Sequence, residues 1–263
     1  PMSGEMVNGA APGFPEIWRV TADNPGPMTL DGTNTYLYGS NPCWVIDPGP
    51  ADQGHQAIIK EAIEDRGGAA GVLLTHSHVD HAGGAEMLGL PVVEAGKVTG
   101  SFRDGMVAAD LESGSEIFSI DTPGHSSDHV CFMATPIPGG ACFSGDLILG
   151  RGFTYVPPDG GSLASYMDSL KLLQTWQPAL ICPGHGPWIT DPAAKISEYL
   201  EHRLMRENGL VEAMAAGERS REALLDLVWS DVPEQLKSAA RMVMEAHLQK
   251  LKAEGRLPDG LVK

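Results

Sequence analysis

The sequence predicts an α/β fold with a small helical appendage at its C-terminal end, on three observations. Short β-rich runs alternate with helical patterns through the first 190 residues. Four times, a strand-like run meets a glycine-containing turn beside a histidine or aspartate, the way α/β folds build ligand sites at the C-terminal ends of their strands. From Asp191-Pro192 onward the periodicity is helical until the last ten residues.

The first elements are short. Runs at 18–20, 35–38 and 44–46 alternate with Asn-Pro-Gly, Asp-Gly and Ser-Asn-Pro turn signals, and read as an antiparallel meander closing at Asp47-Pro48-Gly49. Residues 53–66 carry Ala57, Ile58, Ala62 and Ile63 at helical spacing, with Gly67 as a stop. A buried strand follows at 71–74, then Val92-Val93, a polar stretch around 101–110, and strands at 116–120, 130–133 and 141–143. Ser162 is an N-cap candidate for a helix with apolar face Leu163, Tyr166, Met167, Leu170 and Leu173, and 179–182 is another short strand.

Asp191-Pro192 supplies an N-cap and a proline at the first helical position for a long helix to about residue 216. Helices at 221–229 and from 233 to about 253 come next, and residues 254–263 read as two short runs around Asp259-Gly260. Three helices and a terminal hairpin make a winged-helix-like appendage. Two units are therefore expected, residues 1–190 and residues 191–263.

The composition, 42% hydrophobic and 20% charged over 263 residues, is that of a soluble globular protein. Cys43, Cys131, Cys142 and Cys182 form no C-x-x-C pair, which argues against a disulfide framework or a thiolate zinc site and for a reducing compartment. No apolar run reaches the ~18 residues a membrane span needs. The N-terminal stretch lacks the basic start and apolar core of a secretory signal, so a cytoplasmic protein is expected. The net charge of −16 is uneven: residues 1–197 hold 22 acidic and 8 basic side chains, residues 198–263 hold 12 and 10. That balance counts against nucleic acid and against an anionic membrane surface.

The chemistry concentrates in Thr75-His76-Ser77-His78-Val79-Asp80-His81, directly after the apolar run at 71–74. Imidazole nitrogen and carboxylate oxygen are zinc ligands. In an extended segment His76 and His78 would face one way and Asp80 and His81 another, which suits two ions rather than one. His125 after Pro123-Gly124, Asp146 after Ser144-Gly145 and His185 after Pro183-Gly184 repeat the pairing of glycine with a ligand-type side chain.

These motifs, in this order, resemble those of the metallo-β-lactamase superfamily. Asn34-Thr35-Tyr36-Leu37, Thr122-Pro123-Gly124-His125-Ser126-Ser127-Asp128-His129, Phe143-Ser144-Gly145-Asp146-Leu147-Ile148-Leu149-Gly150, Ser165-Tyr166-Met167-Asp168-Ser169-Leu170 and His202-Arg203 resemble its lactamase-β-like protein 2 group, over nearly the full length. The resemblance implies an αββα sandwich with metals at one edge and a C-terminal winged-helix domain. It also implies that His76, His78 and His125 hold a first zinc, that Asp80, His81 and His185 hold a second, and that Asp146 bridges them. Asp80 and Asp146 are then the candidate catalytic carboxylates. A departure from the group is Ser77, where many members carry an aromatic residue, and its small side chain would open the metal pocket.

The reaction expected is attack of metal-bound hydroxide on an ester, thioester or amide carbonyl, a lactam included, of a small-molecule or acyl-carrier-bound substrate. Members of the group are single-strand endoribonucleases in mitochondria, and fungal relatives are thioesterases on carrier-bound polyketides. RNA cleavage is therefore the alternative, disfavoured by the acidic charge and dependent on residues such as Arg103 and Arg151. A non-catalytic metal-binding interaction protein is an alternative of another class, and one Fe2+ in place of two Zn2+ is the alternative for the metal.

Arg151 and Tyr155, after the Asp146 loop, are candidates to meet a substrate oxyanion. Asp47 is either a carboxylate that orients a ligand or an ordinary turn aspartate. Asp128 and His129 either support the His125 loop or satisfy a polar turn, the second being the simpler reading, and His55, His202 and His247 read as surface or core histidines. The near-neutral appendage fits packing, substrate gating or homodimer formation better than DNA binding.

Overall fold

The computed structural model describes residues 8–93, 106–109, 114 and 116–261; Arg103 and most of the 101–110 stretch lie outside the described residues. Strands β1 (Gly9–Ala11), β2 (Phe14–Thr21), β3 (Asn34–Tyr38) and β4 (Cys43–Ile46) form the antiparallel meander. After helix α1 (Gln53–Asp65), β5 (Ala69–Leu73) and later β6 (Val92–Val93) extend it in parallel, so the first sheet runs β1-β2-β3-β4-β5-β6. β2 is longer than its sequence run because Pro15 falls where the ladder with β1 is already irregular, between Ala10 and Ala11.

The motif residues between β5 and β6 are not uniformly extended. Val79–Ala82 is one helical turn, α2, capped by His78 in an extended conformation, and a second turn, α3, covers Ala85–Leu88. Asp80 and His81 therefore diverge from His76 and His78 by helical rotation and not by strand alternation.

The second sheet contains β7 (Met106–Ala109), β8 (Glu116–Asp121), β9 (Val130–Ala134) and β10 (Ala141–Gly145), then helix α4 (Leu163–Trp176) and β11 (Leu180–Pro183). Its order is β11-β10-β9-β8-β7, antiparallel except for the parallel pair β10 and β11.

The period of two along each strand sorts the core into layers. Tyr36 and Tyr38 of β3 face Phe132 of β9 and Phe143 of β10 between the sheets. Leu37, one residue away, packs with Val45, Val72 and Ile59 under α1, on the first sheet's outer face. Cys131 and Met133 of β9 and Cys142 of β10 point the other way, onto Tyr166, Leu170 and Leu173 of α4. Helix, sheet, sheet, helix is thus the sequence of layers. All four cysteines are buried and unpaired.

Helix α5 (Pro192–Ala215), capped by Asp191, puts Ile196 and Tyr199 into the α4 layer and then carries Leu210 and Met214 into a separate cluster. That cluster is completed by α6 (Arg221–Val228) and α7 (Lys237–Ala253), through Leu224, Leu225, Met244, Leu248 and Leu251. The expected terminal hairpin is not formed: described residues 254–261 contain no strand. Arg256 N instead bonds Leu251 O to close the helix end, Pro258 has no N–H to give a ladder, and Leu257 and Leu261 fold back onto the helical cluster. No described helix is long and apolar enough to cross a membrane.

Candidate metal centre

Four loops meet at one edge of the sandwich, each following the C-terminal end of a strand: 74–84 after β5, 122–129 after β8, 146–156 after β10 and 184–187 after β11. They bring together all seven of His76, His78, Asp80, His81, His125, Asp146 and His185. His78 Nδ1 lies 3.0 Å from both His76 Nε2 and His125 Nε2. His81 Nε2 and His185 Nε2 are 3.2 Å apart, and Asp80 Oδ2 is 3.4 Å from His185 Nε2 and 3.7 Å from His81 Nε2. Asp146 spans the two groups, with Oδ1 3.4 Å from His81 Nε2 and 3.3 Å from His185 Nε2, and Oδ2 3.5 Å from His125 Nε2.

These spacings match the edge of a coordination tetrahedron, about 3.3 Å for ligand bonds near 2.0–2.1 Å. Three sets could each hold an ion: His76, His78 and His125; His76, His81 and Asp146; and Asp80, His81 and His185.

The ring orientations are fixed from outside. His81 Nδ1 donates to Asp47 Oδ2 at 2.9 Å, His125 Nδ1 to the Tyr155 carbonyl at 2.7 Å, His185 Nδ1 to the Gly32 carbonyl at 3.2 Å, and His76 Nδ1 to Thr75 Oγ1 at 3.0 Å. Each of these imidazoles therefore presents its Nε2 lone pair inward. Asp146 Oδ1 is buried without a hydrogen-bond partner. Converging lone pairs and an orphaned carboxylate oxygen repel one another unless cations lie between them, so the donor set fits divalent metal ions.

Burial alone would depress His185, but the Asp146 and Asp80 carboxylates outweigh it and raise the ring to about 9. His81, also buried, is raised by Asp146 and Asp47. Burial and the neighbouring His81 and His129 push His76 down to about 2, and burial with His125 takes His129 to about 3. One half of the cluster attracts positive charge while the other stays neutral.

Glycine is paired with ligands here for lack of room. A Cβ on Gly184 would come within 2.6 Å of His81 Cε1 and 2.7 Å of Asp146 Oδ1, and one on Gly145, at φ +45°, within 2.4 Å of Thr75 Oγ1. The mouth of the site is formed by exposed Ser77, His78 and Val79 with half-buried Asp80, whereas His76, His81, Asp146 and His185 are buried. Ser77 is thus at the rim, its N–H donating to Asp128 Oδ2 at 2.9 Å.

Of the residues with two readings, Asp47 is an orienting carboxylate: Oδ1 accepts from Thr75 N at 2.8 Å, and Oδ2 from Thr75 Oγ1 at 2.6 Å besides His81. Asp128 ties its loop to the 74–84 loop through Ser77. His129, buried, takes Asp146 N–H on Nε2 at 3.2 Å while Nδ1 meets Thr122 Oγ1 at 2.9 Å, so it positions the backbone of Asp146. His55 and His247 are core residues, and half-buried His202 stacks on Phe153 at 3.6 Å.

Arg151 is exposed and paired with Asp31 at 2.5 Å. Tyr155 serves His125 through its carbonyl, while its side chain lines a cavity of about 390 Å3 beside Thr154 and Leu149. Sequence reasoning gave no role to Thr75 or Asn34, which it named only as motif members, nor to the Gly32 carbonyl; Asn34 Nδ2 donates to Pro183 O at 3.0 Å and Gly186 O at 2.9 Å and shapes the His185 turn. For Gly32 and Asn34 the signal was the polar run 31–35 entering β3.

Comparison with known proteins agrees with this architecture. Residues 28–90 match the family model described as the metallo-beta-lactamase superfamily, and residues 220–258 that of the beta-lactamase associated winged helix domain. The chain is 33% identical to the beta-lactamase-like protein 2 homolog of Drosophila melanogaster, over 92% of this chain and 89% of the relative. It is 32% identical to the atrochrysone carboxyl ACP thioesterase of Aspergillus chevalieri, over 92% and 83% respectively. A beta-lactamase domain protein from Burkholderia ambifaria superposes with a TM-score of 0.71 at 20% identity, covering 92% of this chain and 87% of that one.

Proposed function

Since the chain belongs to the metallo-beta-lactamase superfamily, with relatives named beta-lactamase-like protein 2 and a C-terminal winged-helix match, we propose that it hydrolyses an acyl ester or thioester at a two-zinc site. The seven residues His76, His78, Asp80, His81, His125, Asp146 and His185 would hold the ions. The observation that carries the two-ion reading is Asp146, whose two carboxylate oxygens face different histidine groups. Divalent ions held there would polarise an acyl carbonyl and lower the pKa of a water.

The chain's own residues do the rest. Asp146 would offset the repulsion between two bound cations, and Asp47, Thr75, Gly32 and the Tyr155 carbonyl keep the imidazoles aimed inward. Asp80, its side chain 28% exposed at the mouth, would take a proton from the water and pass it to the leaving group. Water adds to the acyl carbon, the carbon–sulfur or carbon–oxygen bond breaks, and the thiol or alcohol leaves with the proton. Tyr155 would contact the substrate from the cavity wall, and Arg151 would first have to leave Asp31.

Acyl rather than phosphodiester chemistry is supported by the acidic excess over residues 1–197 and by the thioesterase among the relatives. The test is turnover of an acyl thioester and of a short RNA by zinc-loaded protein, each at low and physiological ionic strength. Thioester hydrolysis should hardly change with salt, because a neutral substrate feels little that salt screens. Efficient, salt-tolerant RNA cleavage would overturn this assignment in favour of a nuclease.

A further inference from the structure

Two of the loops that aim metal-site histidines also wall a cavity of about 390 Å3. Tyr155, whose carbonyl holds His125, lines it with Leu149, and Gly150 N–H bonds the His185 carbonyl at 2.8 Å. Pro27 and Met28 also line it, in the loop whose Gly32 carbonyl holds the His185 ring. The remaining wall comes from α5, α7 and the segment between α6 and α7.

We propose that this cavity receives an apolar acyl group of the substrate, an inference that rests on the acyl-hydrolase reading above. The volume falls within the ~300–1,000 Å3 of ordinary small-molecule sites. Met28, Met205 and Leu236 line it while remaining 52%, 54% and 44% exposed, an uncovered apolar surface gathered at one place. Unbranched Met side chains adapt to a flexible chain.

The charged groups in the wall are already engaged. Arg206 makes a two-bond pair with Asp231, both contacts at 2.8 Å, and lies over Trp229. Arg203 donates to the Thr154 carbonyl and lies over the Tyr166 ring. Both guanidiniums commit Nη atoms to protein partners, although each Nε is buried without a hydrogen-bond partner among the described residues, and the Nη pairing favours a neutral, apolar occupant. The acyl carbon would sit at the metal centre and its tail would run past Tyr155 toward α7.

Ala239, half-buried in the wall, and exposed Met28, in the 27–32 loop, allow substitutions that leave the metal centre alone. Ala239→Phe fills the space and Met28→Asp makes its rim polar. The readouts on zinc-loaded full chain are kcat/KM for acetyl and octanoyl thioesters of N-acetylcysteamine, and calorimetric binding of the S-octyl thioether, which is not hydrolysed. Each methylene that enters should gain about fourfold. Wild type should therefore prefer octanoyl about a hundredfold or more, and both variants should lose at least about tenfold of that preference and of thioether affinity, with acetyl turnover and melting temperature retained.

Octanoyl preference and thioether binding that both survive in the two variants would overturn the assignment of the cavity while leaving the hydrolase intact. Absent thioether binding to wild type would overturn it as well. Thioether binding that the variants abolish, in a protein that turns over neither thioester, would instead overturn the acyl-hydrolase reading.

Discussion

Asp47 Oδ2 lies 2.9 Å from His81 Nδ1, both side chains are buried, and Asp47 holds the left-handed backbone angle φ +49°. A non-glycine residue in that region is uncommon. Here the conformation lets one carboxylate join the end of β4 to Thr75 and to His81, so the meander sets the angle of the His81 ring in the helical turn that follows the neighbouring strand. Asp47→Ala should lower metal affinity about 10- to 100-fold. It should also cost about 1–3 kcal/mol of stability by leaving the Thr75 N–H unpaired. Zinc titration against a chelator and a urea melt check both effects, and unchanged zinc affinity would show that His81 needs no such support.

Asp146→Asn keeps the size of the side chain and removes the charge placed between the two groups. Turnover should fall to near background and the zinc content from about two ions per chain to about one or less, since a neutral amide is a poor ligand for a divalent ion. Metal analysis after dialysis, run beside wild type, reads both values. One ion in the wild type, or iron as its main metal, would refute the two-zinc centre.

Gly184→Ala should damage the centre without unfolding the sandwich. The added methyl would meet His81 and Asp146 at under 3 Å, displacing one histidine and the carboxylate that spans both groups. Overpacking of this kind costs about 1–3 kcal/mol, against a larger loss of activity. Parallel thermal melts and zinc titrations distinguish the two effects.

His247 makes the C-terminal helices acid-sensitive. Its ring is fully buried against Trp229, and neither nitrogen has a hydrogen-bond partner among the described residues. Burial, then Arg203, Lys250, His202 and Arg206, hold it down at about 3; Glu207, 4.0 Å away, is taken up by Lys250 and Arg256. The unfolded chain takes up this proton below about 6.5, and the folded chain only near 3. The contribution is therefore complete above about pH 6.5 and lost progressively as pH falls toward 3, about 2 kcal/mol by pH 5. His247→Leu should flatten the dependence of the urea midpoint on pH between 7 and 5, and an unchanged slope would assign the sensitivity to other groups.

Much of the fold was legible because burial patterns repeat in the sequence. Leu37 between Tyr36 and Tyr38 already alternates between two cores, and glycine before His125, Asp146 and His185 marks loops too crowded for a side chain. Other features had no such signature. Gly9–Ala11 has no strand-forming residue and is held by pairing with β2 and by burial of Ala11 in the core between the sheets. The carbonyls of Gly32 and Tyr155 act through the backbone, which any residue supplies. Asp47 could not be separated from a turn aspartate because its partners lie 28 and 34 residues away. The Asp259-Gly260 turn misled for the opposite reason: it is a good local signal, but Leu257 and Leu261 gain more by covering the helical cluster than by pairing.

The seven ligand-type residues hang from both sheets, His76 to His81 after β5 and the rest after β8, β10 and β11. Ions bound among them would add a further tie between two halves of the chain that meet through packing and a few hydrogen bonds such as Tyr36 Oη to Pro183 O and Val130 N to Thr75 O. Since the unfolded chain has no such site, every hundredfold excess of free metal over its dissociation constant adds about 2.7 kcal/mol to folding. The amount of intact protein in a cell would then follow the supply of metal, and scarcity would register first as turnover of the polypeptide by proteases, ahead of any change in its catalytic constants.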